Sequence, residues 1–208
     1  QMFPKKPYAI ETRDNAGGNL DVSLLGMPVE NDWILYAPYT DKSMLRNVVT
    51  FDMGRKMGGY CTRTVFCELV LNNDYKGVYV LMEKIKQDEN RVNIASLNPE
   101  EISGDDLTGG YIIRVDKLDF DFQYGVDGWM SNPNPPYPNA MDITFQYFDP
   151  DAGKIVAQQR DYIKNFITTA ENTLCSSSFA NPEAGYNKYF NAASFLDFML
   201  LSELSKEV

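Results

Sequence analysis

The chain is expected to adopt an α+β fold, strand-rich in its first part and helical in its last. Three observations predict this. Short alternating or β-rich runs recur up to Phe148, clusters of Asn, Asp and Gly punctuate them, and helical apolar stripes take over after Asp149. At 208 residues with 44% hydrophobic content, the chain has enough apolar surface for a substantial core in one domain or a two-lobed unit. No repeat, low-complexity tract or linker divides it, so one domain is expected over 1–208, with 1–148 mainly strand-rich and 149–208 mainly helical.

Between Lys6 and Thr12, Tyr8 and Ile10 alternate with more polar neighbours, and Trp33 to Tyr36 is a short apolar run; both predict strands. From Asp41, the recurrence of Leu45, Val49, Met53 and Met57 beside Met44 and Val48 predicts an amphipathic helix over 41–57. Gly58-Gly59 supplies its stop, because a left-handed C-cap favours a residue without Cβ. Val65 to Leu71 and Val78 to Ile85 predict a hairpin around Asn72 to Gly77, where Asn, Asp and Gly tolerate positive φ. Tyr111 to Val115 and Ile143 to Phe148 read as further strands, separated by a long Pro-, Asn- and aromatic-rich loop over 118–142. Asp149-Pro150 has the form of a helix entry, and Ile155, Val156, Tyr162, Ile163, Phe166, Ile167 and Leu174 mark the stripe of the helix that follows. The last segment, from Ser194 through Leu204, is apolar around most of its circumference and predicts a helix buried on all sides. It lacks a Gly or Pro stop, which favours a native chain that continues.

Composition removes several function classes. A net charge of −10 argues against a nucleic-acid partner, since phosphate neutralisation requires clustered cations. Histidine is absent, which excludes Ser-His-Asp and Cys-His catalysis and His-based metal motifs. The three cysteines have no metal-ligand spacing and cannot all pair with one another. Cys61 and Cys67 share a face of any regular strand without approaching bridging distance, so buried thiols are the expectation. No 18-residue apolar run predicts a membrane span. Acidic residues are numerous, but no local pattern marks the carboxylate pair of a glycosidase.

Four ordered segments carry more specific information: FPKKPYAIETRD, LLGMPVENDWILYAPYTDKSMLRN, MGGYCTRTVFCELVLNNDYKGVYVLMEKIKQDENRVNI and GGYIIRVDK. Together they resemble the CotH kinase family, from Phe3 to about Leu204. That resemblance implies an atypical protein-kinase-like fold and transfer of the ATP γ-phosphoryl group to Ser or Thr of a protein substrate, with Mg²⁺ or Mn²⁺. It also implies a spore-coat, surface or secreted setting. In the family the catalytic Asp follows the helix that here reads FLDFMLLSELSKEV, and a metal-binding Asp comes later in a Trp-Asp-type motif. No Trp-Asp dipeptide occurs here. The expectation is a chain truncated at both ends, with no catalytic or metal-ligating residue assigned, inactive by itself and carrying the nucleotide-gripping part. A non-catalytic surface or coat-assembly module, binding a glycan or a protein, is the alternative.

Phosphoryl transfer depends on positioning and charge neutralisation, so the grip candidates are cations and their partners within the matched segments. Lys5 and Lys6 are adjacent on a strand, so at most one faces a cleft; a solvated strand end is the competing reading. Arg46 and Asn47 open a helix, where dipole and guanidinium favour an anion, and a local pair between Arg46 and Asp41 competes. Glu83 and Lys84 end a strand, so one should point inward and one toward water. By analogy with kinases, Glu83 would pair with Lys5, Lys6 or Lys84 over the phosphates. Asp116 and Lys117 rank lower, and Asn90-Arg91 suggests only a turn and a surface ion pair. Gly109-Gly110 lacks the pattern of a phosphate loop. Trp129, Tyr124, Tyr137 and Tyr147, among amides, would either stack on sugars or grip a peptide, or anchor the long loop.

Overall fold

The computed structural model describes residues 3–133, 136 and 143–206. The α+β expectation holds: seven strands and three α-helices occur among these residues. They belong to two compact units, one from the described parts of Gln1–Ile85, Asn90–Val92 and Ala193–Val208, the other from Lys86–Glu89 and Asn93–Ala192.

The first unit is built on an antiparallel sheet ordered β1-β2-β4-β3, from β1 (Tyr8–Glu11), β2 (Asp32–Tyr36), β3 (Thr64–Leu71) and β4 (Asp74–Glu83). Residues β4 places two apart share a face, and Tyr79 and Leu81 join Trp33, Leu35 and Met27 in a buried cluster, flanked by Tyr8, Ile10, Val65 and Cys67. The β3–β4 turn is tighter than the spacing predicts. Asn72 and Asn73 alone form it, at φ of 52° and 62°, and the register shift between Leu69 and Val70 takes up the extra residue before Gly77.

Helix α1 spans Arg46–Lys56, not 41–57. Met44 sits at φ 58° and Asp41 folds its carboxylate onto the chain ahead of it, so the first five residues form a turn. The expected stop is present: Gly58 at φ 91° donates to the Arg55 carbonyl at 3.0 Å and Gly59 to that of Gly54 at 3.2 Å, a Schellman pattern. The stripe is shallow, with Leu45 and Val49 exposed and Gly54 the buried residue. A Cβ on Gly54 would lie 2.3 Å from Cys61 Sγ and 3.0 Å from Leu201 Cδ2, so the missing side chain allows close packing there. Leu201 belongs to α3 (Ala192–Ser205), which has no buried residue. The expectation of all-round burial is therefore overturned: Phe195, Leu196, Phe198, Leu200 and Leu204 are each more than half exposed. A uniformly apolar circumference has no preferred inward face, and here contact is made through a narrow line that includes Leu201.

The second unit carries β5 (Ile112–Arg114), β6 (Gly128–Met130) and β7 (Thr144–Asp149) in the order β5-β7-β6, with α2 (Ala157–Cys175). Trp129, Tyr147, Ile155 and Ile163 form its core, with Tyr162 and Ile167 against them. Asp149-Pro150 does not open the helix. Asp149 is the last residue of β7, paired with Ile112, and its carboxylate accepts the Gln87 amide at 3.0 Å. Strand pairing outcompetes the local cap signal, and α2 starts seven residues later. There, Gln159, fully buried, accepts from the Val156 amide at 3.2 Å and donates to the carbonyls of Asn98 at 2.7 Å and Glu101 at 3.2 Å. The loop over 118–142 also contains the short strand β6, where Gly128 approaches the Phe145 carbonyl so closely that a Cβ would lie 2.0 Å away.

Candidate nucleotide-gripping site

Strand β4 ends in a carboxylate that the fold buries. Glu83 follows Tyr79 and Leu81 on the core face and stands opposite Trp33, with 1% of its surface exposed. A charge in such a place requires partners on both oxygens. Arg63 supplies them: Nη1 donates to Oε1 at 2.7 Å and its backbone amide to Oε2 at 2.9 Å. The same Nη1 reaches the Asn90 carbonyl at 2.8 Å. Glu83 thus pairs with Arg63, rather than with Lys5, Lys6 or Lys84, and with both oxygens engaged it organises its surroundings. Tyr60 lies nearby, its hydroxyl pushed above the ordinary value by burial and by the charge of Glu83.

A second cation is buried beside it. The Arg91 guanidinium donates to the carbonyls of Lys84 and Asp32, both at 2.7 Å, lies 5.3 Å above the Trp33 ring and stands 3.9 Å from Glu30. The Trp33 indole donates to the Glu30 carbonyl at 3.1 Å, and a Glu30 oxygen accepts the Asn31 amide at 2.7 Å. Arg91 is 5% exposed, which corrects the expectation of a surface ion pair. It fastens the end of β4 to the start of β2. Neither Arg63 nor Arg91 was singled out by sequence reasoning for this work. Both lie in the matched segment from Met57 to Ile94, but apart from the Lys84 carbonyl, seven residues from Arg91, their hydrogen-bonding partners are 20 to 59 residues away and no local spacing announces them.

The remaining predicted residues are dispersed. Lys84 diverges from Glu83 as strand geometry requires: its side chain is 44% exposed, with Nζ 3.5 Å from Asp32. Lys5 and Lys6 also diverge. Lys5 is half-buried, bonds the Val78 carbonyl and stands 4.6 Å over the Tyr79 ring, whereas Lys6 is exposed. Five strand residues separate Val78 from Glu83, about 16 Å at the usual rise, so these lysines belong to the other end of β4. Arg46 and Asn47 begin α1, but Asp41 already occupies that terminus, accepting the Arg46 amide at 2.9 Å while its carboxylate stands 3.9 Å from the Arg46 side chain. The Ser43 hydroxyl and the Arg46 amide hold the Asp41 carboxyl below its ordinary value. An anionic ligand at this helix end would have to displace that carboxylate. Asp116 and Lys117 are exposed beyond β5.

Among the described residues no group of three or more His, Cys, Asp and Glu side chains is placed to hold a metal ion. No described helix is long and apolar enough to cross a membrane. The three cysteines are half-buried free thiols; Cys67 lies against the core of the sheet and Cys61 beside Gly54, and burial pushes these two thiols up. Of the aromatic loop, Trp129 and Tyr147 anchor in the core and Tyr124 is exposed, while Tyr137 lies outside the described residues.

Comparison with known proteins agrees with the ordered segments. The CotH kinase protein family matches residues 1–208. No curated protein and no solved structure matches the chain. With the match extending over its whole length, the chain belongs to the CotH kinase family.

Proposed function

We propose that this chain forms the nucleotide-gripping part of an atypical Ser/Thr protein kinase, one that transfers the ATP γ-phosphoryl group to a hydroxyl of a protein substrate. The two units act as parts of one domain in this reading. The observation that best supports it, beyond family membership, is the buried Glu83–Arg63 pair at the end of β4, which fixes the strand end from which Lys84 projects. A rigid support of this kind suits a reaction whose catalysis is mainly positioning. Lys84 is the preferred phosphate cation, with Glu83 holding the strand. The described residues offer no group of three or more His, Cys, Asp and Glu side chains for the Mg²⁺ or Mn²⁺ that family membership implies. The chain is proposed to bind nucleotide without turning it over. The family's association with the spore coat supports a coat or cell-surface location.

Calorimetry with ATP, with and without Mg²⁺ or Mn²⁺, tests this on the chain and on a version extended past Val208. Binding that Lys84→Ala weakens about tenfold, the loss of one charge-assisted contact, without a change in melting temperature is the expected result. Failure of both forms to bind ATP would sink the proposal and favour a non-catalytic surface or coat-assembly module. Metal-dependent phosphorylation of a protein by the chain alone would overturn the inactivity assigned to it.

A further inference from the structure

Strand β3 closes one side of the first unit's sheet, and no described strand pairs with it beyond β4. The ladder shows which of its backbone groups are left over. The Glu83 amide donates to the Arg63 carbonyl at 3.3 Å, so these two residues form a hydrogen-bonded pair, and Val65 with Leu81 and Cys67 with Tyr79 follow it in register. The alternate residues Thr64, Phe66 and Glu68 therefore turn their N–H and C=O groups away from β4. Among the described residues these groups have no backbone partner outside the sheet.

Open edges are usually blunted by Lys, Pro or a covering segment. Between Thr64 and Leu71 there is no Lys and no Pro, and the single charge, Glu68, is held by the Tyr75 hydroxyl at 2.8 Å. The register shift between Leu69 and Val70 leaves Thr64 to Glu68 regular. Apolar surface accompanies the edge: Phe66 is 41% exposed, and Val70, Leu71 and Tyr75 of the same hairpin are exposed as well.

We propose that β3 is a dimerisation edge, on which β3 of a second copy of this chain pairs antiparallel about a two-fold axis. Such a contact is isologous, so each pairing across it is made twice. Three constraints fix the register. Outward-turned residues must meet outward-turned residues to exchange hydrogen bonds. Val65 and Cys67, which flank the buried cluster, must stay on the core side of the extended sheet. Glu68 must not face its own copy, because like charges directly opposite are unfavourable. Setting Phe66 opposite Phe66 of the second copy meets all three and uses every free backbone group of Thr64, Phe66 and Glu68. It brings Glu68 opposite the Thr64 hydroxyl, Val65 opposite Cys67, and the two exposed Phe66 rings together as a cross-strand aromatic pair. This self-complementarity selects a second copy as the occupant. The net charge of −10 is not concentrated here, since Asp74 of the hairpin is paired with Lys76 and Glu68 faces a neutral residue. The edge does not rest on the phosphoryl-transfer reading.

Sedimentation of the chain from about 1 to about 200 µM, a range that brackets micromolar association, should show a reversible monomer–dimer equilibrium. Phe66→Lys sets two ammonium groups opposite each other at the axis and should weaken dimerisation about tenfold, with the melting temperature of the dilute protein unchanged. Register is read by cross-linking. In Phe66→Cys the two introduced residues lie about 5.5 Å apart at Cα, within disulfide reach. Mild oxidation should then give a covalent dimer that neither the parent, with its three native cysteines, nor Val70→Cys gives. Phe198→Lys, on the exposed α3, should leave the dimer intact. A monomer at every concentration overturns the proposal. So does a dimer that Phe198→Lys dissolves and Phe66→Lys does not, or a cross-link that forms at Val70→Cys in preference to Phe66→Cys.

Discussion

Removing Arg91 would take a donor from two part-buried carbonyls and a buried cation from beside Glu30, so its cost should exceed that of an ordinary surface charge. Arg91→Ala is expected to destabilise the first unit by about 3–5 kcal/mol, read by urea unfolding. Arg63→Ala should cost less, about 1–3 kcal/mol, because Arg63 is partly exposed and Glu83 keeps the Arg63 backbone amide. A ranking in which Arg91 proves the cheaper loss would contradict the geometry. Asp41 makes a pH prediction. Its carboxyl is held below the ordinary value of 3.8, so the contribution it makes is present above that pH and is lost as pH falls through the lower, folded-state value. Exchange protection of the Arg46 amide should fall in that acid window, and Asp41→Asn should remove this dependence. These residues show where chain reading stops. That Glu83 and Lys84 diverge follows from strand geometry, whereas the choice of Arg63 as partner requires a strand 20 residues away to be in place.

At the scale of elements, the close contact at Gly54 is open to a sharp test. Alanine is the better helix former by about 1 kcal/mol, yet its Cβ would fall 2.3 Å from the Cys61 sulfur. Gly54→Ala should therefore destabilise by about 1–3 kcal/mol, and Cys61→Ala in the same chain should restore much of the loss. Additive costs in that double-mutant cycle would show that the sulfur is not the obstacle. In the β3–β4 turn, both Asn residues have positive φ. Asn73→Gly should stabilise by about 0.5–1 kcal/mol, since glycine pays no Cβ penalty there. Elements with such local punctuation were legible in the sequence: the hairpin, the Gly58-Gly59 stop and the strands around Tyr8 and Trp33. Asp149-Pro150 shows the limit, because the same dipeptide suits a helix entry and a strand end, and pairing with Ile112 selects the latter.

For the whole molecule, α3 separates the sequence expectation from the structure. Burial on all sides would make any polar substitution there severe. The structure instead leaves Phe198 65% exposed, so Phe198→Lys should change stability by no more than about 0.5 kcal/mol. Leu201→Ala, beside Gly54, should cost more, and equal large losses at both positions would restore the all-buried reading.

Family membership, the α+β class and the order of strands and helices are written along the chain, because they rest on ordered motifs, apolar period and turn chemistry within a few residues of one another. The partners of Glu83 and Arg91, the capture of the α1 terminus by Asp41 and the exposure of α3 are not. Each depends on which side chains are brought together or left uncovered when distant segments pack, and burial and electrostatic pairing are properties of that packing rather than of local spacing.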